Sequence, residues 1–302
     1  MFSIITPTFN RAHTLERVFN SLNKQSLKEF EWIIIDDSSS DNTKQIVSDW
    51  QEITTSYKIH YYLLPENKGK PHAVNEALKY CTQSVTIIAD SDDAFESNTI
   101  QELKQLWNAV NLTENSVKIA SIWTLVKDED NKLVGDLFPH NFWQVNFKER
   151  VLDRKKIITG EKWHSWRTSV LKKYKMHHSN HSFISESATW NRINKDYDFL
   201  CLNIFHRIYY ASPDGLILKK KSRLELEKIK FYNSYYQLNE TSLFKILKYP
   251  YYHHYAFDYI KSLFTYSEMG MKLGYTKLFT GILISIWYLP KRIFYYLIHK
   301  KG

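Results

Sequence analysis

The sequence predicts an α/β fold in which helices flank a mostly parallel sheet, followed by a C-terminal helical extension. Four short runs rich in β-branched and aromatic residues alternate with segments of helical periodicity through residue 110. Strands that alternate with helices in this way pair in parallel. Beyond residue 219 the apolar residues follow helical spacing alone, which predicts helices without a further sheet.

The first four strands are predicted at residues 2–6, 31–35, 58–64 and 85–89, and each is followed by a helical segment. We expect Pro7 to end the first strand because proline lacks a backbone donor. Helices begin at residues whose side chains can accept from free backbone N–H groups. The expected N-caps of the first, second and fourth helices are Thr14, Asp41 and Ser97.

After residue 117 the alternation changes. Residues 118–127 and 132–137 predict a hairpin over a polar turn. Residues 199–203 and 205–210 predict two antiparallel strands, before a turn at residues 212–215. These shorter, mixed elements predict a second half of the sheet that is less regular than the first.

The C-terminal extension is predicted to hold helices at residues 222–239, 243–269 and 278–289. Pro250 is expected to break the second of these helices, and Pro290 to end the third. No window of 18 residues is apolar and free of charge, so the sequence predicts no transmembrane helix.

Composition limits the class of protein. The chain has 302 residues, of which 43% are hydrophobic, enough for a sizeable core. Its two cysteines form no disulfide framework and no metal spacing, which favours a reducing compartment. Met1 leads directly into a strand, so we expect no signal peptide and a cytoplasmic location.

Charge is unevenly distributed along the chain. Residues 1–218 carry 26 Lys and Arg against 27 Asp and Glu, whereas residues 219–302 carry 15 against 5. The latter region also holds 20 of the 47 aromatic residues, and this combination points to an anionic partner. Two alternatives stay open: these helices bind the anionic inner face of the cytoplasmic membrane, or they pack on the N-terminal domain or form a homo-oligomer.

Three carboxylates follow the fourth strand, at Asp90, Asp92 and Asp93. Carboxylates this close raise one another's pKa unless a cation lies among them, and their hard oxygen ligands suit Mg²⁺ or Mn²⁺. Ligands of open α/β sheets bind at the carboxyl ends of strands. The stretch therefore predicts a site for a metal and a diphosphate, the alternative being an acidic turn that caps the next helix.

Several motifs in the first two thirds of the chain resemble the signatures of family 2 glycosyltransferases. Four of them, at residues 5–11, 35–41, 66–70 and 90–93, occur in the family's order and spacing. Two further stretches, residues 160–163 and 184–190, resemble a bacterial branch of that family.

The resemblance covers residues 1–217 and implies a Rossmann-like GT-A fold, a nucleotide-sugar donor, a divalent metal (Mn²⁺ or Mg²⁺) and inversion at the anomeric carbon. UDP is the nucleotide favoured by family prevalence. The expected domains are a catalytic domain at residues 1–218 and the basic, aromatic-rich region at 219–302. The catalytic domain divides into a nucleotide-binding half, residues 1–93, and an acceptor and catalytic-base half, residues 94–218.

The resemblance also implies roles for individual residues. The expected nucleotide-binding residues are Pro7, Thr8, Phe9, Asp37, Asn67, Lys70 and Asp90. Asp92, with Asp90, is expected to hold the metal, and Glu186 to be the catalytic base. The residues expected at the donor sugar or the acceptor are Asp93, Glu161, Lys162, Trp163 and Trp190.

Some of these roles have competing interpretations. Glu186 could be an acid favoured in a first helical turn by the helix dipole, and Glu161 could share the task of base. Core packing is the favoured alternative for the tryptophans.

The resulting prediction is an inverting, metal-assisted transfer of a sugar to a hydroxyl of a surface glycan such as capsule, lipopolysaccharide or a related polymer. Its partners would be a nucleotide-sugar and a glycan or lipid-linked acceptor. A nucleic-acid-binding protein is an alternative, but the acidic strand ends would repel phosphate without a metal, so no nucleic acid is expected. A metal-dependent nucleotidyltransferase is another, although no phosphate-loop signature stands near residue 8.

Overall fold

The computed structural model describes residues 1–154, 156–179, 182–211 and 221–299, with only the backbone path for 291–299. The predicted turn at residues 212–215 therefore lies outside the described residues. The chain divides into two compact units. The first comprises Met1–Arg150, Arg154–His178 and Thr189–Leu218, and the second comprises Val151–Asp153, Ser179–Ala188 and Lys219–Gly302.

The first unit is built on a sheet whose first half is parallel. Its strands are β1 (Phe2–Thr8), β2 (Phe30–Asp36), β3 (Lys58–Leu63) and β4 (Val85–Ile88), in the spatial order β3-β2-β1-β4. The helices that connect them are α1 (Ala12–Asn23), α2 (Thr43–Ile53) and α3 (Lys70–Tyr80). The α/β fold predicted from the alternation of strands and helices is confirmed.

The second half of the sheet is mixed. It continues from β4 in the order β8-β6-β9-β5, and β7 pairs with β9. β8 is antiparallel to both β4 and β6, whereas β9 runs parallel to β6. The strands are β5 (Ala94–Phe95), β6 (Ile119–Asp128), β7 (Trp143–Val145), β8 (Lys162–Arg167) and β9 (Asp198–Tyr209).

Helices and short turns connect these later strands. The α-helices are α4 (Thr99–Asn111), α5 (Thr168–Lys173) and α6 (Glu186–Asp196). A 3₁₀ turn occupies Ser116–Lys118 and a π-helical turn occupies Lys148–Leu152.

Side-chain alternation distributes the core over both faces of the sheet. Ile4 and Ile34 belong to one buried cluster, which the helices α1 and α4 complete. Ile5 and Ile33 belong to a second cluster, with apolar residues of α3 and α5. Because both faces are buried, these strands read as continuous apolar runs rather than as alternating ones.

Pro7 does not end the first strand. It pairs in register with Ile35 inside β1. In a strand, the backbone N–H and C=O groups of residues two apart point toward the same neighbouring strand. The Ile5 carbonyl accepts from the Ala89 N–H, so the backbone polar groups of Ile5 point toward β4. Pro7 faces that same side beyond the last β4 pairing, Ile5 with Ile88, so its missing N–H breaks no bond of the sheet.

Two predictions for the second half of the sheet are wrong. Residues 199–203 and 205–210 form one strand, β9, whose register against β6 shifts near Leu125 in an irregularity that allows it to continue. Residues 132–137 form no strand. Their only ladder contact in the described chain is an isolated bridge from Leu133 to Lys127, although the predicted polar turn is present.

The predicted helix caps are also wrong in detail. Thr14 lies inside α1, where its hydroxyl donates to the Arg11 carbonyl. Asp41 precedes the N-cap Asn42, yet its carboxylate accepts from the Thr43 N–H at 3.1 Å and from the Ala12 N–H at 3.0 Å. It therefore ties the starts of α1 and α2 together. Helix α4 is preceded by Asn98 and not by Ser97.

The second unit is helical throughout its described elements. These are α7 (Arg223–Asn239), α8 (Leu243–Lys248), a 3₁₀ turn (Pro250–Tyr252), α9 (His253–Ser262) and α10 (Tyr275–His299). Ser222 and Glu225 form a reciprocal capping box at the start of α7. Pro250 breaks the helical run as predicted, but Pro290 lies inside α10 and does not end it. Within the described part of the chain, no helix is long and apolar enough to cross a membrane.

Candidate active site

The carboxyl ends of the parallel strands meet at one edge of the first unit. There the Asp37 N–H donates to the Thr8 carbonyl at 2.8 Å, and the Ala89 N–H donates to the Ile5 carbonyl at 2.9 Å. β8 is antiparallel to β4, so its beginning lies at this same edge. β9 is parallel to β6, so its C-terminal part lies there too. Acids and bases from segments far apart in the sequence are thereby brought together.

Asp90 is held between two cations. The Lys70 ammonium lies 2.5 Å from its Oδ1, and the Arg207 guanidinium lies 3.2 Å from its Oδ2. Burial acts to raise the pKa of Asp90, but Lys70 and Arg207 outweigh it and lower that pKa to about 2. Asp90 is therefore ionised at neutral pH.

Asp93 is the most deeply buried of the three acids. It is 1% exposed and forms an ion pair with Arg207, which is 9% exposed. Burial raises the pKa of Asp93 to about 7, with Arg207 opposing the rise and Asp90 adding to it. The side chain points into the protein, which contradicts the prediction that it contacts the donor sugar or the acceptor.

Asp92 differs from its two neighbours. Among the described residues, none forms a hydrogen bond or an ion pair with its half-buried carboxylate. Burial raises the pKa of Asp92, and the nearby charge of Asp90 raises it further. A cation bound at Asp92 would favour its ionised form and so lower this pKa.

These carboxylates fit a particular kind of metal site. No group of three or more His, Cys, Asp and Glu side chains in the described ranges is arranged as a cage. Mg²⁺ commonly takes only one or two carboxylates and completes its shell with substrate phosphates and water. Asp92, with Asp90 beside it, matches that donor set, whereas Asp93 is committed to Arg207.

Glu161 and Lys162 stand where β8 begins. The Glu161 carboxylate is 3.8 Å from the Arg207 guanidinium and 41% exposed. Lys162 donates to the carbonyls of Thr159 and Glu161, and its ammonium lies 5.7 Å from the centre of the Phe138 ring. Arg207 thus links Glu161 to Asp90 and Asp93 at the strand edge.

Asp37 shapes the loop that precedes α3. Its carboxylate accepts from the Lys68 N–H at 3.1 Å and from the Gly69 N–H at 2.6 Å. Gly69 has φ +85°, a conformation that favours glycine, and it immediately precedes Lys70. Asn67, exposed on this loop, also accepts from the Gly69 N–H, at 3.2 Å.

The neighbouring predicted residues have clear positions. Asp36, which precedes Asp37, has a structural role: its carboxylate accepts from the Ser39 N–H and from the Tyr61 hydroxyl. Pro7 and Thr8 are buried at the end of β1, and Phe9 is 43% exposed just beyond them. The end of β1 therefore lies beside Asp37, as the hydrogen bond from the Asp37 N–H to the Thr8 carbonyl requires.

Trp163 and Trp190 are core residues, in agreement with the core packing that the sequence analysis favoured over a contact with the sugar or the acceptor. Trp163 is 3% exposed and donates to the Ile88 carbonyl at 3.1 Å. Trp190 is 4% exposed and stacks on Trp166 with ring centres 4.4 Å apart. At these exposures neither indole offers an open face on which a pyranose could stack.

Glu186 is the first residue of α6 and is half-buried. The segment that leads into it is anchored within the second unit, because the Ser185 N–H donates to the Asn233 side chain at 2.9 Å. A carboxylate in the first helical turn is stabilised by the helix dipole.

Two residues of the site escaped the sequence analysis. Arg207 contacts three of its carboxylates, and only the excess of buried acids at the strand end indicated that a cation was needed. His164, on β8, accepts from the Trp166 indole N–H at 2.8 Å. Burial, then Arg207 and Lys70, lower the pKa of His164 to about 3, so it is neutral.

Comparison with known proteins agrees with this site. The family model described as Glycosyl transferase family 2 matches residues 3–167, more than half of the chain. The chain belongs to glycosyltransferase family 2. The matched region includes β1 to β4, the loop held by Asp37 and the three acids that follow β4.

Individual relatives match over shorter stretches. A Campylobacter jejuni GalNAc(5)-diNAcBac-PP-undecaprenol beta-1,3-glucosyltransferase is 35% identical over 107 residues, which is 35% of this chain and 34% of that protein. An Escherichia coli UDP-Glc:alpha-D-GlcNAc-diphosphoundecaprenol beta-1,3-glucosyltransferase, WfgD, is 33% identical over 101 residues, 33% of this chain and 38% of that protein. The matched stretch spans little more than a third of either relative.

A solved structure extends the likeness of the fold. The crystal structure of S. aureus TarS 1-349 in complex with UDP-GlcNAc has a TM-score of 0.57 and 20% sequence identity to this family 2 chain. The match covers 94% of this chain and 79% of that one. The GT-A fold predicted from the motifs is confirmed.

Proposed function

We propose that this protein is an inverting glycosyltransferase that moves a sugar from a UDP-sugar to a hydroxyl of a surface-glycan acceptor, with the assistance of a divalent metal. The observation that carries the proposal is Asp92: a half-buried carboxylate without a described ion-pair partner, beside cation-bound Asp90, at the carboxyl edge of a family 2 sheet. The names of the relatives support UDP as the nucleotide and a lipid-linked glycan as the acceptor.

The donor would bind along the strand edge. Residues 7–9 would line the nucleoside pocket, and the loop fixed by Asp37 would present Asn67 to the base. Lys70 would face the diphosphate, because its ammonium already lies at Asp90. The backbone of Gly69 can approach a ligand closely since it carries no side chain.

Asp92, with Asp90, would hold Mn²⁺ or Mg²⁺. When bound, the metal supplies charge neutralisation to the diphosphate that leaves. Lys70 and Arg207 add fixed positive charge at the same edge, and Arg207 keeps Asp90 and Asp93 from repelling each other.

The transfer would be a single displacement at the anomeric carbon. The acceptor oxygen forms a bond to that carbon as the bond to the diphosphate oxygen breaks, and the hydroxyl proton passes to Glu186. The electron pair of the broken bond leaves with UDP. Glu161 and Lys162, partly exposed at the start of β8, would contact the sugar or the acceptor.

The proposed place of action is the inner face of the cytoplasmic membrane, where a lipid-linked acceptor would be presented. The 15 basic against 5 acidic residues of the C-terminal region support attraction to that anionic surface. Association of the C-terminal helices into a homo-oligomer is the competing use of this region.

The test is a panel of nucleotide sugars with Mn²⁺ or Mg²⁺, scored by the nucleotide product. Sugar transfer or donor hydrolysis releases UDP, whereas nucleotidyl transfer would release pyrophosphate and overturn the proposal. Asp92→Asn should lose metal-dependent donor binding. Glu186→Gln should bind donor as before and turn over about 10²- to 10⁴-fold more slowly, the range a general base contributes. Full transfer activity in Glu186→Gln would show that the base lies elsewhere.

A further inference from the structure

One side of α10 is apolar and exposed. Phe279, Ile282, Leu283, Ile286 and Trp287 follow one another at helical spacing and are 62%, 41%, 52%, 66% and 60% exposed. We refer to these five residues as the α10 stripe. A surface helix normally turns such a stripe toward the core and presents polar residues to water.

The other side of α10 already supplies the helix with its core contacts. Thr280 and Ile284 are buried, Gly281 lies against Ile260 of α9, and the Tyr288 ring lies 5.8 Å from Phe257 of α9. No charged residue occurs between Lys277 and Lys291. The helix is therefore apolar on both sides, and the α10 stripe stays largely exposed although the Trp287 ring lies 6.4 Å from that of His253.

An exposed apolar stripe of this extent marks an interaction surface, and charge decides its partner. Residues 219–302 carry a net charge of +10, from 15 basic and 5 acidic residues. A second copy would bring the same positive charge, and the two would repel each other. An anionic lipid surface would instead be attracted by this charge.

We propose that the α10 stripe inserts into the interface of an anionic bilayer, with the helix lying along the membrane plane. Basic residues flank the stripe in sequence, with Lys272 and Lys277 before it and Lys291 and Arg292 after it. Apolar and aromatic residues beside Lys and Arg are typical of helices at the interface. The inference deepens the proposed function, and it rests on that function for the lipid-linked acceptor that the membrane would present.

The experiment is vesicle flotation of the full chain without donor or acceptor. Vesicles of phosphatidylcholine alone are compared with vesicles that also contain phosphatidylglycerol. The wild type should float with the anionic vesicles only, and less of it at high salt because screening weakens the attraction. Ile282→Glu/Ile286→Glu should reduce the bound fraction roughly tenfold or more, since it removes two apolar anchors. Ile53→Glu, which alters an equally exposed isoleucine of α2 (69% exposed), should bind as the wild type does.

Other results would overturn the inference. Equal flotation of the double variant, binding to phosphatidylcholine alone as strong as to the mixture, or no flotation of the wild type would each do so. A wild type that sediments as a dimer, a double variant that sediments as a monomer, and no flotation of either would assign the stripe to a second copy. UDP release from donor is measured separately on the same proteins. Its absence in all of them would overturn the proposed function while leaving the flotation result valid.

Discussion

Arg207, near the end of β9, forms a buried ion pair with Asp93, which follows the last strand of the parallel half of the sheet. The same guanidinium reaches Asp90, which also follows the parallel half, and Glu161, which precedes β8. β5 lies directly after Asp93 and pairs Phe95 with Arg207, which fixes the two partners in register. The ion pair therefore joins the two halves of the sheet at the site.

Removing this cation should destabilise the first unit. Arg207→Met leaves Asp93 buried without its partner, and we expect the free energy of unfolding to fall by about 3 kcal/mol in urea titrations. Arg207→Met/Asp93→Leu should recover most of that loss, because the buried Asp93 carboxylate is gone and Asp90 keeps its pair with Lys70. Lys104→Met breaks the exposed pair with Glu29 and should cost less than about 1 kcal/mol. Equal losses of unfolding free energy in Arg207→Met and Lys104→Met would show that the buried pair stabilises the protein no more than an exposed one.

Asp37 should control donor binding through the loop it holds. Asp37→Asn keeps one acceptor oxygen but turns an amide N–H toward one of the two backbone donors, Lys68 or Gly69. We expect UDP to bind about tenfold more weakly by calorimetry, with the melting temperature lowered by only a few degrees. Glu66→Gln makes the same chemical change at a residue 63% exposed on this loop and should bind UDP normally. If both variants bind alike, the loop does not contact the nucleotide.

Gly160 occupies a position where a side chain has no room. It has φ +78°, and a Cβ there would collide with the backbone of Val134 and Gly135. Gly160→Ala should lower the free energy of unfolding by roughly 3 kcal/mol, since both the left-handed conformation and the collision cost energy. Gly69→Ala has a similar φ of +85° but open space around it, and should cost about 1 to 2 kcal/mol. The difference between the two losses of unfolding free energy measures the collision of the added methyl group at residue 160. Equal losses would contradict the close approach of Gly160 to Val134 and Gly135.

The sequence predicted the parallel half of the fold because each buried strand there is a continuous apolar run that ends in polar residues. Local pattern could not predict the partner of a buried acid, and so Asp93 was expected at the substrate while the structure commits it to Arg207. The prediction that Pro7 ends β1 failed for a similar reason. A proline costs no hydrogen bond of the sheet where the adjacent strand, β4, has already ended. β9 was divided in two because a register irregularity interrupts the alternation without ending the strand.

The aromatic residues of the site also show what a sequence motif cannot predict. Trp163 and Trp190 lie in stretches that resemble motifs of the family, and such a resemblance does not distinguish a residue that touches substrate from one that supports the site. Burial makes that distinction, and both rings are in the core. His164 lies beside Trp163 in the sequence, but its shifted pKa arises from burial and then from Arg207 and Lys70, which surround it only in the folded chain.

His164 should make the protein less stable in mild acid. Its pKa is lowered from 6.5 to about 3 by burial and by the charges of Arg207 and Lys70, with Asp90 opposing. Between these values the unfolded chain binds a proton that the folded chain does not, so stability falls as pH decreases below 6.5. Each such group contributes a slope of about 1.4 kcal/mol per pH unit.

His164→Asn isolates this contribution. An asparagine can still accept from the Trp166 indole N–H, as His164 does at 2.8 Å, but it does not titrate. Urea titrations between pH 7.5 and 5 avoid the range near pH 2 to 4 in which Asp90 titrates. Asp93, whose pKa is raised to about 7, titrates inside this window and opposes His164, but it does so in both proteins, so the comparison of the two slopes isolates His164. We expect the stability of the variant to decline less steeply than that of the wild type by about 1.4 kcal/mol per pH unit below 6.5. His60→Asn makes the same chemical change at a histidine whose side chain is 37% exposed, and it serves as the matched control. Parallel curves for the wild type and His164→Asn would mean that the folded protein accepts the proton at His164, and that the positive charge at the strand edge is weaker there than Arg207 and Lys70 imply.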